Sequence, residues 1–221
     1  MGGAWAPALA GLLLAATGDV QTTLGRVVQP FVLRRLPAAA GRGGSLGDGA
    51  VGLADFLGAD AIQPRAAVLL AFVPPLCAGC GRLLPLLNAL TAAYGGRGLQ
   101  VLAVATVLAT DDEGLQAAQV LLQPLTCPVL QDAFGLVAPR LQIGPQPYLL
   151  LAGGSGHVLL SGVLEGTQGD GRERGAPVGG DAPEFSAARL LNEIRRGLQL
   201  AASEPVPPEL AALLAVGGAQ P

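Results

Sequence analysis

The chain has 221 residues, 51% hydrophobic and 13% charged, with a formal net charge of −3. That length allows one domain with a sizeable core plus extensions, and the composition is not that of a disordered or highly solvated chain. Basic residues form no cluster, which argues against nucleic acid as a partner, and three cysteines are too few for a disulfide scaffold. No lysine occurs; with abundant Ala, Gly, Leu and Pro, that points to coding bias rather than function.

From the N-terminus, Ala4 to Ala16 is an apolar run, AWAPALAGLLLAA, followed by Gly18-Asp19. It has the length of a signal-peptide core and falls short of the roughly 18–20 residues of a membrane span. No Lys or Arg precedes it and Pro7 interrupts it, so a helix packed on the domain stays open as the alternative. Phe31-Val32-Leu33, after Pro30, reads as a short edge strand. Residues 37–50 read as a Gly-rich connection; without GxxxxGK[ST] or GxGxxG they are not a phosphate cradle. Val51 to Leu57 is expected to form a short turn of helix. Ala66 to Val73 is uninterrupted apolar sequence, which predicts a fully buried strand, and Pro74-Pro75 ends it. Cys77-Ala78-Gly79-Cys80 follows, and behind it Leu83, Leu84, Leu86, Leu87 and Leu90 recur at helical spacing. Tyr94 to Gly98 caps that helix and turns the chain.

Leu99 to Ala109 reads as a second buried strand. Thr110 is expected to cap the next helix, with Glu113 completing a capping box, and Leu115, Ala118, Val120 and Leu121 face the sheet. Strand–helix–strand–helix order with short links implies parallel strands in an α/β sheet. Cys127 reads as a small buried hydrophobe, with a third redox thiol as the alternative. Ala133 to Leu141 predicts a short helix broken by Pro139. Tyr148–Ala152 and His157–Leu164 predict an antiparallel hairpin across residues 153–156. His157, the one histidine, is given no catalytic role. Residues 166–183 read as a polar Gly-rich loop. Ser186 begins a last helix with Leu190, Leu191, Ile194, Leu198 and Leu200 as its apolar face. The expected organisation is an N-terminal apolar segment over 1–24, a domain over 25–202 and a Pro-rich tail with a short helix over 203–221.

A CxxC between a buried strand and a helix reads as a redox pair. The first N–H groups of a helix lack intrahelical partners and its dipole is positive there, so a thiolate at that end is stabilised. Cys77 at the helix mouth is expected to attack, and Cys80, one turn in, to resolve the mixed disulfide. A zinc site would need a second ligand pair, and only Cys127 and His157 remain to supply it; no metal is expected.

This stretch resembles the thioredoxin superfamily, in particular the exported thiol-disulfide oxidoreductases of the TlpA/ResA type. Phe72 matches the phenylalanine of their Phe-Trp-x-x-Trp-Cys-x-x-Cys pattern, Cys77 and Cys80 match the cysteines, and Pro85 matches the proline further along the helix. Val73 and Leu76 stand where the tryptophans would be. The wording from Phe72 to Pro85 is also similar to MauD. Pro30-Phe31-Val32-Leu33 is similar to the family's opening strand. Thr126 to Asp132 resembles its Phe-Pro-Val-Leu-x-Asp segment, with Cys127 in place of the phenylalanine. The resemblance covers about residues 27–200.

It implies a thioredoxin-like fold, a central mixed sheet flanked by helices. It also implies a cis-proline that holds the backbone beside the CxxC and accepts the partner polypeptide. Pro147, preceded by Gln146, fits best: counted from it, Gly156 falls at the hairpin turn and Gly162 at a glycine of the MauD-like wording. Pro145 is the alternative. The implied function is thiol-disulfide exchange with client protein thiols and disulfides, without a cofactor, with a membrane thiol carrier as a further partner. The implied place is outside the cytoplasm, exported or membrane-anchored, the cytoplasm being the alternative. Two other readings compete. A peroxiredoxin-like peroxidase would carry TxxC, where this chain has Pro74. A non-catalytic thioredoxin-like binding module would fit the lost tryptophans but not the retained cysteines. The chain also departs at two acidic positions, with Ala71 and Leu83 where relatives carry carboxylates that assist proton transfer to the resolving thiol. The uncharged Ala78-Gly79 pair gives no electrostatic indication of reduction potential.

Overall fold

The computed structural model describes residues 25–36, 49–77, 79–108, 110–144, 146–167 and 183–216. The apolar run from Ala4 to Ala16, Pro145 and most of the two Gly-rich loops lie outside the described residues.

Among the described residues eight strands form one sheet in the order β2-β1-β5-β4-β3-β6-β7-β8. They are β1 (Val32–Arg35), β2 (Ala50–Gly52), β3 (Ala67–Val73), β4 (Leu99–Ala105), β5 (Val129–Gln131), β6 (Tyr148–Gly153), β7 (Val158–Leu164) and β8 (Glu184–Phe185). The expected mixed sheet is present: β3, β4 and β5 run parallel, and β6 is antiparallel to β3 and to β7. All seven residues of β3 are buried. Its alternate side chains feed two cores, as strand geometry requires. Ala67, Leu69, Ala71 and Val73 pack with the helices α1 (Cys80–Tyr94), α2 (Asp112–Leu122), α4 (Ala187–Gly197) and α5 (Pro208–Val216). Val68, Leu70 and Phe72 pack with Phe31, Leu33, Leu53 and the short helix α3 (Val137–Arg140). The helix behind the CxxC buries Leu83, Leu87 and Leu90; each such side chain contributes roughly 1.5–3 kcal/mol on removal from water.

The structure corrects several local expectations. β1 is not an edge strand: residues 50–52 pair with it as β2 and take the edge. The expected turn over 51–57 therefore contracts to a 3-10 turn, Leu53–Asp55, in which Asp55 Oδ2 accepts the Gly52 N–H at 2.8 Å. The second buried strand ends at Ala105 rather than Ala109. α2 is capped by Asp111, whose carboxylate accepts the Gly114 N–H at 2.8 Å, not by Thr110 with Glu113. A carboxylate that reaches the third N–H is a full cap on its own. With that start, Gly114, Ala118 and Leu122 turn inward, and Val120 faces solvent. The helix expected over Ala133 to Leu141 is confined to α3, because Pro139 is tolerated only in a first turn. β8, which the sequence did not announce, pairs parallel to β7.

α4 begins as expected, Ser186 Oγ accepting the Arg189 N–H at 3.3 Å. Arg195, buried on this helix, donates to the carbonyls of Ala201 at 2.8 Å and Glu204 at 2.7 Å. Arg97 and Glu204 form an ion pair. The chain is thereby turned back so that α5 lies against α1 with Leu210 buried. No helix among the described residues is long and apolar enough to cross a membrane.

Candidate active site

β3 leads into Pro74-Pro75-Leu76 and then to the cysteines. Cys77 and Cys80 are joined in a disulfide, with Cα atoms 5.4 Å apart. Cys77 precedes α1 and is half-buried; Cys80 is its first residue and is fully buried. The Cys80 N–H donates to the Cys77 carbonyl at 3.3 Å, closing the turn. The first turn of α1 holds no acidic residue, so nothing in it opposes a thiolate at this end. Ala71 and Leu83 are both fully buried in the apolar cluster that contains Cys80. Neither offers a proton-transferring group to that sulfur.

The fold accounts for the glycine at position 79, between the cysteines. A Cβ on it would lie 1.6 Å from the carbonyl oxygen of Thr167. Thr167 is buried at the end of a tight turn, its hydroxyl donating to Leu164 C=O at 2.6 Å. The segment after β7 thus lies with its backbone directly on the CxxC.

The register places the other expected residues at the same end of the sheet. Phe72 pairs with Tyr148 across β3 and β6, which puts Pro147 at the end of β3, where the chain leaves for Cys77. The Gln146–Pro147 bond is cis, Pro147 is buried and Gln146 is half-buried. Phe72 is fully buried on the sheet face away from α1, in the cluster with Tyr148. Pro85 lies inside α1 and is exposed. With Arg82, Leu86, Leu164, Glu165 and Leu214 it lines a cleft of about 360 Å³ between α1, β7 and α5.

Three groups at this edge escaped the sequence. Thr106, read as mid-strand, is the first residue past β4 and hydrogen-bonds Gln146 through its hydroxyl at 2.6 Å. Gly79 gave no sign of its contact with Thr167. Leu76, Leu108, Phe134 and Leu136, on the segments leaving β3, β4 and β5, are all more than half exposed. A Cβ on Gly135 would meet Leu108 Cδ2 at 3.4 Å, so the loops after β4 and β5 adjoin. Only the exposure in the fold distinguishes these apolar residues from core.

Cys127 and His157 lie elsewhere. Cys127 precedes β5 and is buried beside the middle of β4, where the next residue, Pro128, accepts the Ala103 N–H at 3.0 Å. Burial pushes its thiol up to about 11, the direction of an inert, buried cysteine. His157 is exposed at the turn before β7, at the sheet edge opposite the CxxC, its Nδ1 3.0 Å from Ser155 Oγ. Among the described residues no group of three or more His, Cys, Asp or Glu could hold a metal ion.

No protein-family model matches the chain, and no curated protein matches it. Solved structures do. A Chlorobium tepidum protein provisionally named thiol:disulfide interchange protein DsbE superposes with a TM-score of 0.54 at 22% identity, over 79% of this chain and 97% of its own. A hypothetical protein from Sinorhizobium meliloti gives 0.57 at 23% identity, over 84% and 91%. A protein from Neisseria meningitidis provisionally named thioredoxin gives 0.51 at 22% identity, over 82% and 93%. The fold is thioredoxin-like. The resemblance first carried by Phe72, Cys77, Cys80 and Pro85 therefore holds for the fold, and none of these three structures is described as MauD. In this thioredoxin-like domain the disulfide, the cis-proline and the start of α1 converge at one sheet edge, with the exposed leucines and Phe134 along it.

Proposed function

We propose that the protein is a thiol-disulfide oxidoreductase that exchanges disulfides with partner polypeptides through Cys77 and Cys80. The observation that carries this reading is the Cys77–Cys80 disulfide at the N-terminus of α1, one cysteine half-buried and the other fully buried, beside Pro147. In the reducing direction the Cys77 thiolate attacks one sulfur of a client disulfide, and the client's other sulfur leaves as a thiolate. The Cys80 thiolate then attacks Cys77 Sγ, releasing the client's second thiol and leaving Cys77–Cys80 oxidised. Two electrons pass to the client, and the reverse sequence oxidises a client dithiol. Pro147 and Gln146 receive the client backbone, while Phe72 and Pro85 support the site from the core and from α1. The exposed apolar residues Leu76, Leu108, Phe134 and Leu136 suit an unfolded or extended polypeptide better than a small polar substrate. The names of the Chlorobium and Neisseria proteins agree with the same chemistry.

The place of action in this reading is outside the cytoplasm, with residues 1–24 serving as signal or anchor and a membrane thiol carrier supplying or removing electrons. Fractionation of cells expressing the full chain tests the location; recovery of the whole uncleaved protein in the soluble cytoplasm contradicts it. The chemistry is tested by turnover of insulin disulfides with dithiothreitol as reductant. The wild type accelerates it and Cys77→Ser reduces it to background. No acceleration by the wild type, or hydrogen peroxide consumption that survives in Cys80→Ser at the wild-type rate, removes the oxidoreductase reading in favour of a binding module or a peroxidase.

A further inference from the structure

The side chain before the cis bond is held by a residue from another strand. Thr106 donates its N–H to the Val73 carbonyl at 3.2 Å, which fastens it to the end of β3. Its hydroxyl lies 2.6 Å from Gln146 Oε1 and 3.4 Å from the same Val73 carbonyl. A hydroxyl carries one proton, and only the shorter distance is that of a normal O–H···O bond. The hydroxyl therefore donates to Gln146, although a backbone acceptor on its own side stands within reach. Thr106 thus joins the strand that delivers Cys77 to the loop that presents Pro147.

With Oε1 engaged, the side-chain donor group of Gln146 left for a ligand is its Nε2 amide, which carries two N–H groups. Pro147 has no N–H. Beside the cis bond, the amide of Gln146 supplies the donor that the proline lacks. We propose that Thr106 is a positioning residue: it orients Gln146 so that Nε2 donates to a main-chain carbonyl of a polypeptide client lying along Pro147. This rests on the oxidoreductase reading above and adds a selectivity to it. A polypeptide disulfide uses the donor, whereas a small aromatic disulfide has no main-chain carbonyl to offer.

The test compares steady-state reduction of insulin by the full chain, with dithiothreitol as reductant, against single-turnover reduction of 5,5′-dithiobis(2-nitrobenzoate) by the full chain reduced beforehand and freed of dithiothreitol. Loss of one hydrogen bond predicts that Thr106→Val raises KM for insulin about tenfold, with kcat retained, and lowers the ratio of the insulin to the small-disulfide rate by the same factor. Thr106→Ser, which keeps the hydroxyl, restores both. Gln146→Met reproduces the KM rise, and the double variant Thr106→Val/Gln146→Met is no worse than either single one, because one interaction is removed twice. The Gln146→Met and Thr106→Ser variants keep the test decisive if Thr106→Val folds poorly. Equal losses on both substrates, no rescue by serine, or additive effects in the double variant overturn the positioning role while leaving the oxidoreductase reading standing. Absence of exchange by the wild type with either substrate overturns both.

Discussion

At Gly79 the backbone of Thr167 occupies the volume a methyl group would need. Gly79→Ala must displace either the CxxC turn or the segment after β7, and overpacking of this kind costs about 1–3 kcal/mol. A lower denaturation midpoint at unchanged slope is expected; an unchanged midpoint would show that the contact yields without strain. Cys127 presents the opposite case, a thiol whose surroundings keep it silent. Desolvation by burial is the main cause of its rise from 9.0 to about 11, against smaller opposing backbone hydrogen bonds. A raised pKa means that the fold favours the neutral thiol. The stabilisation from Cys127 is accordingly whole below about pH 9 and is lost as the pH rises from there toward 11. In a Cys77→Ser/Cys80→Ser background, iodoacetamide at pH 8 should label Cys127 only when the protein is unfolded. Labelling of the folded protein at the rate of a free thiol contradicts the buried placement.

Among the elements, those with long apolar runs were legible, and the shortest strands were not. β3 and α1 could be read because every residue of the strand and the Leu83, Leu87, Leu90 stripe of the helix are buried, a pattern with many repeats. The hairpin of β6 and β7 and the Ser186 start of α4 were legible for related reasons, a Gly-rich turn and a capping hydroxyl before an apolar periodicity. β2 and β8 are three and two residues long, too short to show any period, and exist only because a neighbouring strand offers them an edge. The start of α2 was misplaced because Thr110 and Asp111 are both good caps, and geometry past β4 decides between them. The Thr106–Gln146 bond spans 40 residues and left no local trace. α3 depends on Asp132, buried before it, which accepts N–H groups from Leu136 at 3.0 Å, Val137 at 2.9 Å and Ala138 at 3.3 Å. α3 leads toward Gln146–Pro147, so this cap helps place the candidate client-binding loop. Asp132→Ala should destabilise the protein by about 1–3 kcal/mol, the cost of a lost cap and buried donors without a partner. Asp132→Asn, which keeps one acceptor, should lose less. Equal losses for the two in thermal unfolding argue against the capping role.

For the whole molecule, the parallel run of β3, β4 and β5 sends three chain segments to one edge, and the antiparallel β6 starts from that edge with Pro147. The site is thus a product of topology. Cys77, Thr106, Leu108, Phe134 and Pro147 are distant in sequence and meet because the strands end together. The C-terminal segment is turned back onto α1 by Arg195 and by the Arg97–Glu204 pair. The hydrogen bond from Arg97 lowers the pKa of Glu204. A lowered carboxylate pKa stabilises the fold above the ordinary value of 4.5 and is lost as the pH falls below it; because the pair is exposed, its contribution is small. In the proposed exchange the two cysteines divide the labour: Cys77, half-buried before the helix, attacks, and Cys80, buried at its start, resolves. Incubation of Cys80→Ser and Cys77→Ser with a disulfide-bearing polypeptide, followed by non-reducing electrophoresis and mass spectrometry of the adducts, measures this directly. The account predicts stable mixed disulfides through Cys77 in the Cys80→Ser variant and none in Cys77→Ser. Adducts that form only through Cys80, in the Cys77→Ser variant, would contradict it.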